Sequence, residues 1–287
     1  MPRVYAWSVP VWQADVDAAG EMRASSLLRL LQETATRASA EAGFDPDYYA
    51  RIGRTWMVRR STLALAEPAR YGDVLTARTW IADFRRVRSR REYEVRVGAR
   101  PVATAHTDWV LVDARSGQPR RIPTEMEAAF APEGGAPHPR PPFPHIAPPA
   151  DAHRSGRRVE MHELDALDHV NNANYAHWIE QAFLDALAAR SWPVAALRAA
   201  GGRMRPIEHD IEYLSEARYG DAVTAVSWPL AIDEAGVAIA TWIMRDPAPR
   251  PLLRARSRYA WVPIGVDDPA GAAWPSDLRV VLAPDAS

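Results

Sequence analysis

The sequence predicts an α+β fold that is built twice in one chain. The stretch "EPARYGDVLTARTW" (67–80) returns as "SEARYGDAVTAVSW" (215–228), at an offset of 148 residues. A repeat of this period is too long for a solenoid and indicates a duplicated domain. In each copy, one amphipathic helical pattern is followed by about four strand-like segments, a combination that is typical of α+β units.

Each copy begins with a predicted short strand, at 3–12 and at 157–164. The next segment has apolar residues at the spacing of one helix face, which predicts an amphipathic helix. Strand-like stretches such as "TWMVRRSTLALA" and "VATAHTDWVLV" follow, separated by short turns. Because the helix can bury its apolar face only against the sheet, each copy is predicted to pack one helix on a mostly antiparallel sheet. The apolar helix residues are Leu27, Leu30, Leu31, Ala35 and Ala38 in the first copy, and Tyr175, Trp178, Ile179, Ala182 and Ala186 in the second.

The repeat divides the chain into four predicted regions. Residues 1–130 form the first copy and residues 154–265 form the second. Between them, residues 131–153 contain eight prolines. Because proline lacks a backbone donor and favours extended chain, this segment is predicted to be a linker. Residues 266–287 are predicted to be a tail with at most one short strand.

The composition excludes several classes of protein. The absence of cysteine excludes a disulfide framework, a thiolate zinc site and a cysteine nucleophile. A formal net charge of −1 gives no general case for nucleic-acid binding. No apolar run approaches the roughly 18 to 20 residues of a membrane span. The N-terminal stretch lacks a basic region and a small-residue cleavage site, so we expect no signal or transit peptide and a cytoplasmic location.

The duplication separates scaffold from chemistry, because a residue shared by both copies is most simply explained by structure. At the offset of 148, His169 corresponds to Glu21 and Glu216 corresponds to Pro68. Histidine titrates near neutral pH, which suits general acid and base catalysis. A carboxylate near a substrate can activate water. His169 and Glu216 are therefore candidate catalytic residues.

Asp165 corresponds to Asp17, so here the two copies agree. This agreement leaves two interpretations open. The carboxylate of Asp165 either holds turn amides before the helix or acts directly on a substrate.

Three asparagines, Asn171, Asn172 and Asn174, lie in the first turn of the second helix, which is predicted to begin near Val170. Asparagine is a favoured N-cap residue, so one of them is expected to cap the helix. Asn171 and Asn172 are also candidates for binding a substrate through hydrogen bonds.

Five stretches of the sequence resemble, in the same order, motifs of the acyl-acyl-carrier-protein thioesterases of plant and bacterial fatty-acid metabolism. The most specific is "HVNNxxY" followed by Trp, within "DALDHVNNANYAHWIE" (165–180). The resemblance implies a tandem (double) hotdog fold, in which each repeat is a central helix wrapped by an antiparallel sheet. The other stretches are "LLQETA" (30–35), "TWMVRR" (55–60), "YGDVLTARTW" (71–80) and "IEYLSEARYGD" (211–221).

The resemblance also implies hydrolysis of a fatty acyl thioester carried by acyl carrier protein. The family's catalytic Asp, His and Glu fall on Asp165, His169 and Glu216. The family's catalytic Asn, two residues before the His, is replaced here by Leu167, which offers no side-chain hydrogen bond. The first copy is expected to act as scaffold and to supply part of the acyl pocket, with Trp56 as one lining residue.

The chemistry expected of these residues needs no metal and no cofactor. Glu216 would activate a water molecule, and His169 would pass a proton to the leaving sulfur. Backbone amides at the start of the second helix would hold the oxyanion. A second mechanism stays open, in which Asp165 attacks the thioester and forms an anhydride.

Other functions remain open on the sequence alone. An acyl-CoA thioesterase, a hotdog hydratase or dehydratase, and a catalytically silent acyl-binding protein are the alternatives. The expected partner is acyl carrier protein, which is acidic, and the arginine-rich run 85–100 is a candidate docking surface through Arg85, Arg86 and Arg88. The chain is expected to be a monomer with an internal pseudo-dimer, or a homodimer.

Overall fold

The computed structural model describes residues 3–130, 141–247, 250–265 and 273–284. The chain divides into two compact units, residues 1–142 and 143–287. Each unit contributes five strands with antiparallel pairing and one long helix. No helix within the described ranges is both long enough and apolar enough to cross a membrane.

Unit 1 is a five-stranded sheet with three helices among its described residues. The strand order is β1-β3-β4-β5-β2, and each of these neighbours pairs antiparallel. The strands are β1 (Tyr5–Pro10), β2 (Arg54–Leu65), β3 (Val74–Arg85), β4 (Arg88–Val97) and β5 (Arg100–Asp113), and the helices are α1 (Ala24–Glu41), α2 (Pro46–Ile52) and α3 (Thr124–Phe130).

Unit 2 repeats this arrangement. Its strand order is β6-β8-β9-β10-β7, which is the order of unit 1 with each strand replaced by its counterpart. The described residues form strands β6 (His153–Arg158), β7 (Gly202–Tyr213), β8 (Ala222–Ile232), β9 (Val237–Arg245) and β10 (Pro251–Pro263), and helices α4 (Asn174–Ala189), α5 (Val194–Ala199) and α6 (Ser276–Leu282).

The apolar stripes predicted for the two long helices are confirmed. Leu27 and Leu31 of α1 are 1% and 2% exposed, and Trp178 and Ile179 of α4 are 2% and 0% exposed. Full burial of such side chains contributes about 2 kcal/mol each, so the stripe holds each helix on its sheet. The short helices α2, α3, α5 and α6 were not predicted.

The first strand of the second copy was predicted at 157–164, and this position is wrong. Strand β6 ends at Arg158, and residues Met161–Glu163 form a short 3₁₀ turn. The β6 sequence "HRSGRR" has no apolar alternation, because it is an edge strand that pairs only with β8 in its unit. Backbone hydrogen bonds define such a strand, and hydrophobic periodicity does not reveal them.

The tail was predicted to contain at most a strand, and this prediction is also wrong. Residues Ser276–Leu282 form helix α6. Leu278 and Leu282 are 0% and 4% exposed and pack in the core of unit 2 with Phe183 and Leu187. Their four-residue spacing places both on one helix face. Residues 266–272 and 285–287 of the tail lie outside the described residues.

The predicted linker is described only from residue 141 onward, since 131–140 lie outside the described residues. Residues 141–152 contain neither helix nor strand. Phe143 and Ala152 are buried, and His145 makes an edge-to-face contact with Trp242 of β9 at 5.6 Å. This part of the linker packs on the sheet of unit 2.

Candidate active site

The loop between Leu164 and Val170 in unit 2 is closed by backbone hydrogen bonds. Leu164 and Val170 form an antiparallel bridge, and the amide of Asp165 donates to the carbonyl of His169 at 2.9 Å. Asp168 has a φ of 60°, a left-handed conformation that aspartate adopts more readily than most residues. The chain therefore turns back on itself and sets residues 165 and 169 side by side.

His169 and Asp165 form a partly buried pair in this loop. Oδ1 of Asp165 lies 3.5 Å from Nδ1 of His169, and the two side chains are 19% and 13% exposed. The same Nδ1 lies 3.4 Å from the carbonyl oxygen of Val170. Two acceptors beside Nδ1 favour the tautomer that carries its proton there, which leaves Nε2 available for proton transfer.

Unit 1 contains the same loop. Asp17, the counterpart of Asp165, accepts hydrogen bonds from the amides of Ala19 at 2.8 Å and Glu21 at 3.0 Å. Gly20 has a φ of 75° at the position of the left-handed aspartate in unit 2. The loop aspartate therefore has a structural role in both units, and in unit 2 it also contacts a histidine.

The side chains of the two loops differ at the position after the left-handed residue. Glu21 lies 3.6 Å from Arg70 in an ion pair, whereas unit 2 has His169 at the corresponding position. Arg218, the counterpart of Arg70, pairs instead with Glu216. A carboxylate–histidine pair that could transfer a proton therefore occurs in the loop of unit 2, whereas the corresponding loop of unit 1 has Asp17 and Glu21.

Glu216 follows strand β7 and lies in the segment beside the His169 loop. The Val170 amide donates to the Ala217 carbonyl at 2.8 Å, so the two segments run side by side. The Glu216 carboxylate accepts hydrogen bonds from Nη2 and Nε of Arg218 at 2.6 and 3.2 Å, and the side chain is 36% exposed. The structure therefore brings the backbone of Glu216 to the loop and pairs its carboxylate with Arg218.

Tyr175 fixes the same segment from helix α4. Its hydroxyl accepts a hydrogen bond from the Ala217 amide at 3.2 Å, and burial raises the pKa of Tyr175 well above its ordinary value. Its ring packs edge-on against Trp178 and Tyr213, at 4.8 and 5.9 Å between centroids. The tyrosine of the "HVNNxxY" stretch thus has a positioning role.

Helix α4 begins at Asn174, four residues later than the predicted start near Val170, so that prediction is wrong. The Asn171 side chain accepts a hydrogen bond from the Ala173 amide at 3.0 Å, and its carbonyl accepts from the Asn174 amide at 2.9 Å. Asparagine side chains that bond nearby amides compete with helix formation. The three asparagines therefore lie in a turn and at the first helical residue. The expectation that one of them caps the helix is wrong, because the N-cap is Ala173.

Asn172 is the exception among the amides from 170 to 174. Its amide donates no hydrogen bond to the described residues, whereas the other four donate to Ala217, Glu163 or Asn171. The Asn172 carbonyl accepts from the hydroxyl of Tyr213 at 3.2 Å, which holds the peptide in place. Among the amides from 170 to 174, that of Asn172 is therefore the candidate for an oxyanion donor.

Within the described ranges, the side chains of Leu167 and Trp56 make no hydrogen bond with Asp165 or His169. The Leu167 amide donates to Oδ1 of Asp165 at 2.9 Å, so it is already used within the loop, and the side chain is 52% exposed. Trp56 lies in unit 1, where its Nε1 donates to the hydroxyl of Tyr49 at 2.9 Å. It packs against a core cluster that contains Phe44 and Phe130.

Glu163 is a positioning residue that the sequence analysis missed. Its side chain is 8% exposed and pairs with Arg157 at 2.5 Å, and its Oε1 also accepts from Nε1 of Trp178 at 2.8 Å. Its carbonyl accepts from the Asn171 amide at 3.0 Å and from Nδ2 of Asn174 at 2.8 Å. Glu163 therefore joins the loop to α4. The sequence did contain a signal for Glu163, because both copies have a carboxylate at this position, Asp15 in the first and Glu163 in the second.

Two family models match the chain, one for each unit. Residues 2–130 match the model described as acyl-ACP thioesterase N-terminal domain. Residues 159–282 match the model described as thioesterase-like superfamily. The Asp165–His169 loop lies within the second match.

Curated relatives match over about half of the chain. The oleoyl-acyl carrier protein thioesterase 1 of Arabidopsis thaliana chloroplasts is 22% identical over 174 residues, which cover 54% of this chain and 48% of the relative. The palmitoyl-acyl carrier protein thioesterase of the same organism is 24% identical over 177 residues, which cover 54% of this chain and 41% of the relative. The matched residues thus span less than half the length of these relatives.

Solved structures resemble nearly the whole chain. A 12:0-ACP thioesterase from Umbellularia californica has a TM-score of 0.72 at 18% identity, covering 90% of this chain and 94% of that one. An acyl-ACP thioesterase from Bacteroides thetaiotaomicron has a TM-score of 0.71 at 15% identity, covering 89% and 97%. A proposed oleoyl thioesterase from Lactobacillus plantarum reaches 0.79 at 19% identity, covering 91% and 98%. These likenesses confirm the predicted α+β tandem hotdog fold.

Proposed function

We propose that the chain hydrolyses a fatty acyl thioester, with acyl carrier protein as the carrier, because residues 2–130 match the acyl-ACP thioesterase N-terminal domain and residues 159–282 match the thioesterase-like superfamily. The products are a free fatty acid and the carrier thiol. The supporting observation is the Asp165–His169 pair, at 3.5 Å, in a loop whose counterpart in unit 1 has Glu21 in place of the histidine.

In this proposal, His169 transfers the proton. Its Nδ1 faces Asp165 and the carbonyl of Val170, so its Nε2 is the atom that exchanges a proton with the reacting groups. Attack of water on the thioester carbon releases a proton, and cleavage of the carbon–sulfur bond needs one at sulfur. His169 delivers that proton, while Asp165 stabilises the imidazolium ion that forms in between.

Glu216 is proposed to activate the water by accepting its proton, which then passes to His169 and on to the leaving sulfur. Its carboxylate accepts two hydrogen bonds from Arg218 through Oε1, which leaves acceptor positions on Oε2 for a water molecule. The alternative, in which Asp165 attacks the thioester carbon and water then hydrolyses the anhydride, uses the same His169 proton transfer.

The oxyanion is proposed to accept a hydrogen bond from the Asn172 amide. That amide has no acceptor among the described residues, and its peptide is held by Tyr213. A preorganised donor of this kind contributes about 3 kcal/mol to transition-state stabilisation. The Asn172 side chain, which has alanine as its counterpart at position 24, is proposed to bind the substrate beside it.

The proposed function is tested by product analysis on a panel of acyl carriers. Purified protein is incubated with acyl-ACP and acyl-CoA of increasing chain length, and thiol release and free fatty acid are both measured. Hydrolysis releases thiol and fatty acid in equal amounts, with acyl-ACP expected to be the better carrier. A changed double bond without thiol release would instead indicate a hydratase or dehydratase. Binding without turnover would indicate a silent acyl-binding protein.

The carrier protein is proposed to dock on a basic surface at the turn between β3 and β4. Arg85, Arg86 and Arg88 are all exposed there, whereas Arg90 and Arg91 of the same run are buried. The buried Arg90 is paired with Asp108 at 2.7 Å. Only the exposed arginines of this run can therefore attract an acidic partner, chiefly by raising the association rate.

Reversing the charge of Arg86 and Arg88 to glutamate is expected to lower kcat/KM for acyl-ACP about 10-fold at low salt, because steering by opposite charges is lost. Hydrolysis of a small acyl-pantetheine thioester is expected to stay unchanged. Arg96→Glu is the matched control, since Arg96 is an exposed arginine near the other end of β4. Equal loss with the small thioester, or equal loss in the control, would contradict docking at this turn.

A further inference from the structure

Arg91 is a buried arginine on the inner face of the unit 1 sheet. It lies on β4, opposite Ile81 of β3 and Thr107 of β5. The residue is 4% exposed, and both cross-strand neighbours are buried as well. A guanidinium ion in such surroundings has lost most of its hydration and needs compensation from protein or ligand.

The protein supplies little of that compensation. Nη1 of Arg91 donates to Oγ1 of Thr79 at a long 3.4 Å, and the guanidinium lies 5.4 Å from the ring centre of Phe130. No carboxylate of the described residues forms an ion pair with it. The nearest acidic residues along the two adjoining strands pair elsewhere, Asp83 with Arg85 at 3.5 Å and Asp108 with Arg90 at 2.7 Å. Burial consequently lowers the pKa of Arg91.

Three further polar groups near Arg91 are buried, namely the Ser89 hydroxyl, the Tyr93 hydroxyl and Nε1 of Trp109. Tyr93 interacts with Thr107 and Trp109, whereas the Ser89 hydroxyl has no hydrogen-bond partner within the described ranges. Ser89 and Tyr93 alternate with Arg91 along β4, so they share its face, and Trp109 lies opposite Ser89 on β5. Each group can donate a hydrogen bond. These neutral groups bring no negative charge to Arg91, so the charge of the guanidinium stays uncompensated on this face.

Unit 2 shows that the sheet itself does not require an arginine here. The pair Pro229 and Ile239 in unit 2 occupies the register of Ile81 and Arg91 in unit 1. Ile239 is 2% exposed, so an aliphatic side chain fills the equivalent position of the same fold. The fold alone therefore does not explain why unit 1 has a buried arginine at this position.

We propose that the interior of unit 1 binds an acyl chain that carries a carboxylate away from its thioester, and that Arg91 is the residue that selects it. The carboxylate supplies the negative charge that the surroundings of Arg91 lack. An unsubstituted alkyl chain supplies neither. The substrate class is therefore an acyl thioester with an anionic distal end. This inference rests on the proposed thioester hydrolysis for the identity of its ligand as a substrate.

Hydrolysis of two matched substrates tests the selection. Acyl carrier protein is loaded with dodecanoyl or with the half-thioester of dodecanedioic acid, and kcat/KM is measured for the wild type and for Arg91→Ile. The substitution is expected to reduce the preference for the carboxylate-bearing chain by about 10-fold to 100-fold, the usual effect of losing a charge-assisted hydrogen bond. Arg91→Lys, which retains the charge, is expected to retain part of the preference.

A binding measurement separates this inference from the proposed hydrolysis. The ligands are the monomethyl ester of dodecanedioic acid and methyl dodecanoate, which differ in one terminal carboxylate. Calorimetry is expected to give tighter binding of the carboxylate ligand to the wild type, and Arg91→Ile is expected to abolish the difference. That result supports the site even if no thioester is hydrolysed. Equal affinity for both ligands in the wild type, or an unchanged difference in a folded Arg91→Ile variant, overturns the inference.

Discussion

Replacing His169 with alanine is expected to lower kcat for thioester hydrolysis by about 100-fold to 10,000-fold, the usual contribution of a positioned general acid or base. The imidazole is the only group of the described loop that combines a carboxylate partner, at 3.5 Å, with a second ring nitrogen available for proton transfer. KM is expected to change little, because the proposed role is in the reaction and not in binding. Single-turnover kinetics with acyl-ACP measures this effect.

Glu21→Ala in unit 1 is the matched control for His169→Ala. Glu21 occupies the corresponding position of a loop with the same hydrogen bonds, so a general effect of disturbing such a loop would appear in both variants. Glu21→Ala is expected to retain hydrolysis, and thermal unfolding of both variants reports any loss of stability. If the two variants lose activity equally, His169 has no special role in catalysis.

Glu216→Gln is expected to lower kcat by about 100-fold or more, because glutamine retains the shape of the side chain but cannot accept a proton from water. Arg218→Ala is expected to have a much smaller effect, since it removes the ion pair at 2.6 Å while leaving the carboxylate. Steady-state kinetics of the two variants with the same acyl thioester tests this difference directly.

The comparison of these two variants shows whether the Glu216 carboxylate acts in catalysis or only forms an ion pair with Arg218. If the carboxylate served only to hold Arg218, deleting either partner would have a similar and modest effect, since exposed ion pairs contribute about 1 kcal/mol or less. A large loss in both variants, with lowered melting temperatures, would mean that the ion pair maintains the fold of the segment beside the loop. Either result would remove Glu216 from the proposed mechanism.

The duplication made most of the fold predictable from the sequence. A long amphipathic helix and its apolar stripe can be recognised in one copy and then verified in the other, and both stripes are buried. What the pattern missed has physical reasons. Strand β6 is polar and is held by backbone hydrogen bonds to β8, and α6 is a helix of seven residues, too short to give a clear period.

The candidate site was predictable in part. The sequence identified Asp165 and His169 as candidates, and the structure places them in contact. Their catalytic roles, and that of Glu216, stay predictions. The late start of α4 could not be foreseen, because it depends on the Asn171 side chain bonding to the Ala173 amide. The buried Arg91 was grouped with exposed arginines, because a run of charged residues does not reveal which side of a strand each one occupies.

The corresponding loops of the two units, which contain Glu21 and His169, affect how the sequence can evolve. Their shape depends on backbone hydrogen bonds, one aspartate and a left-handed residue, and none of these uses the side chain of residue 21 or 169. Mutation at those two positions can therefore explore new reactivity while the fold remains intact. Under the proposed mechanism, a duplicated chain of this kind retains its catalyst in one half while the other half is free to diverge.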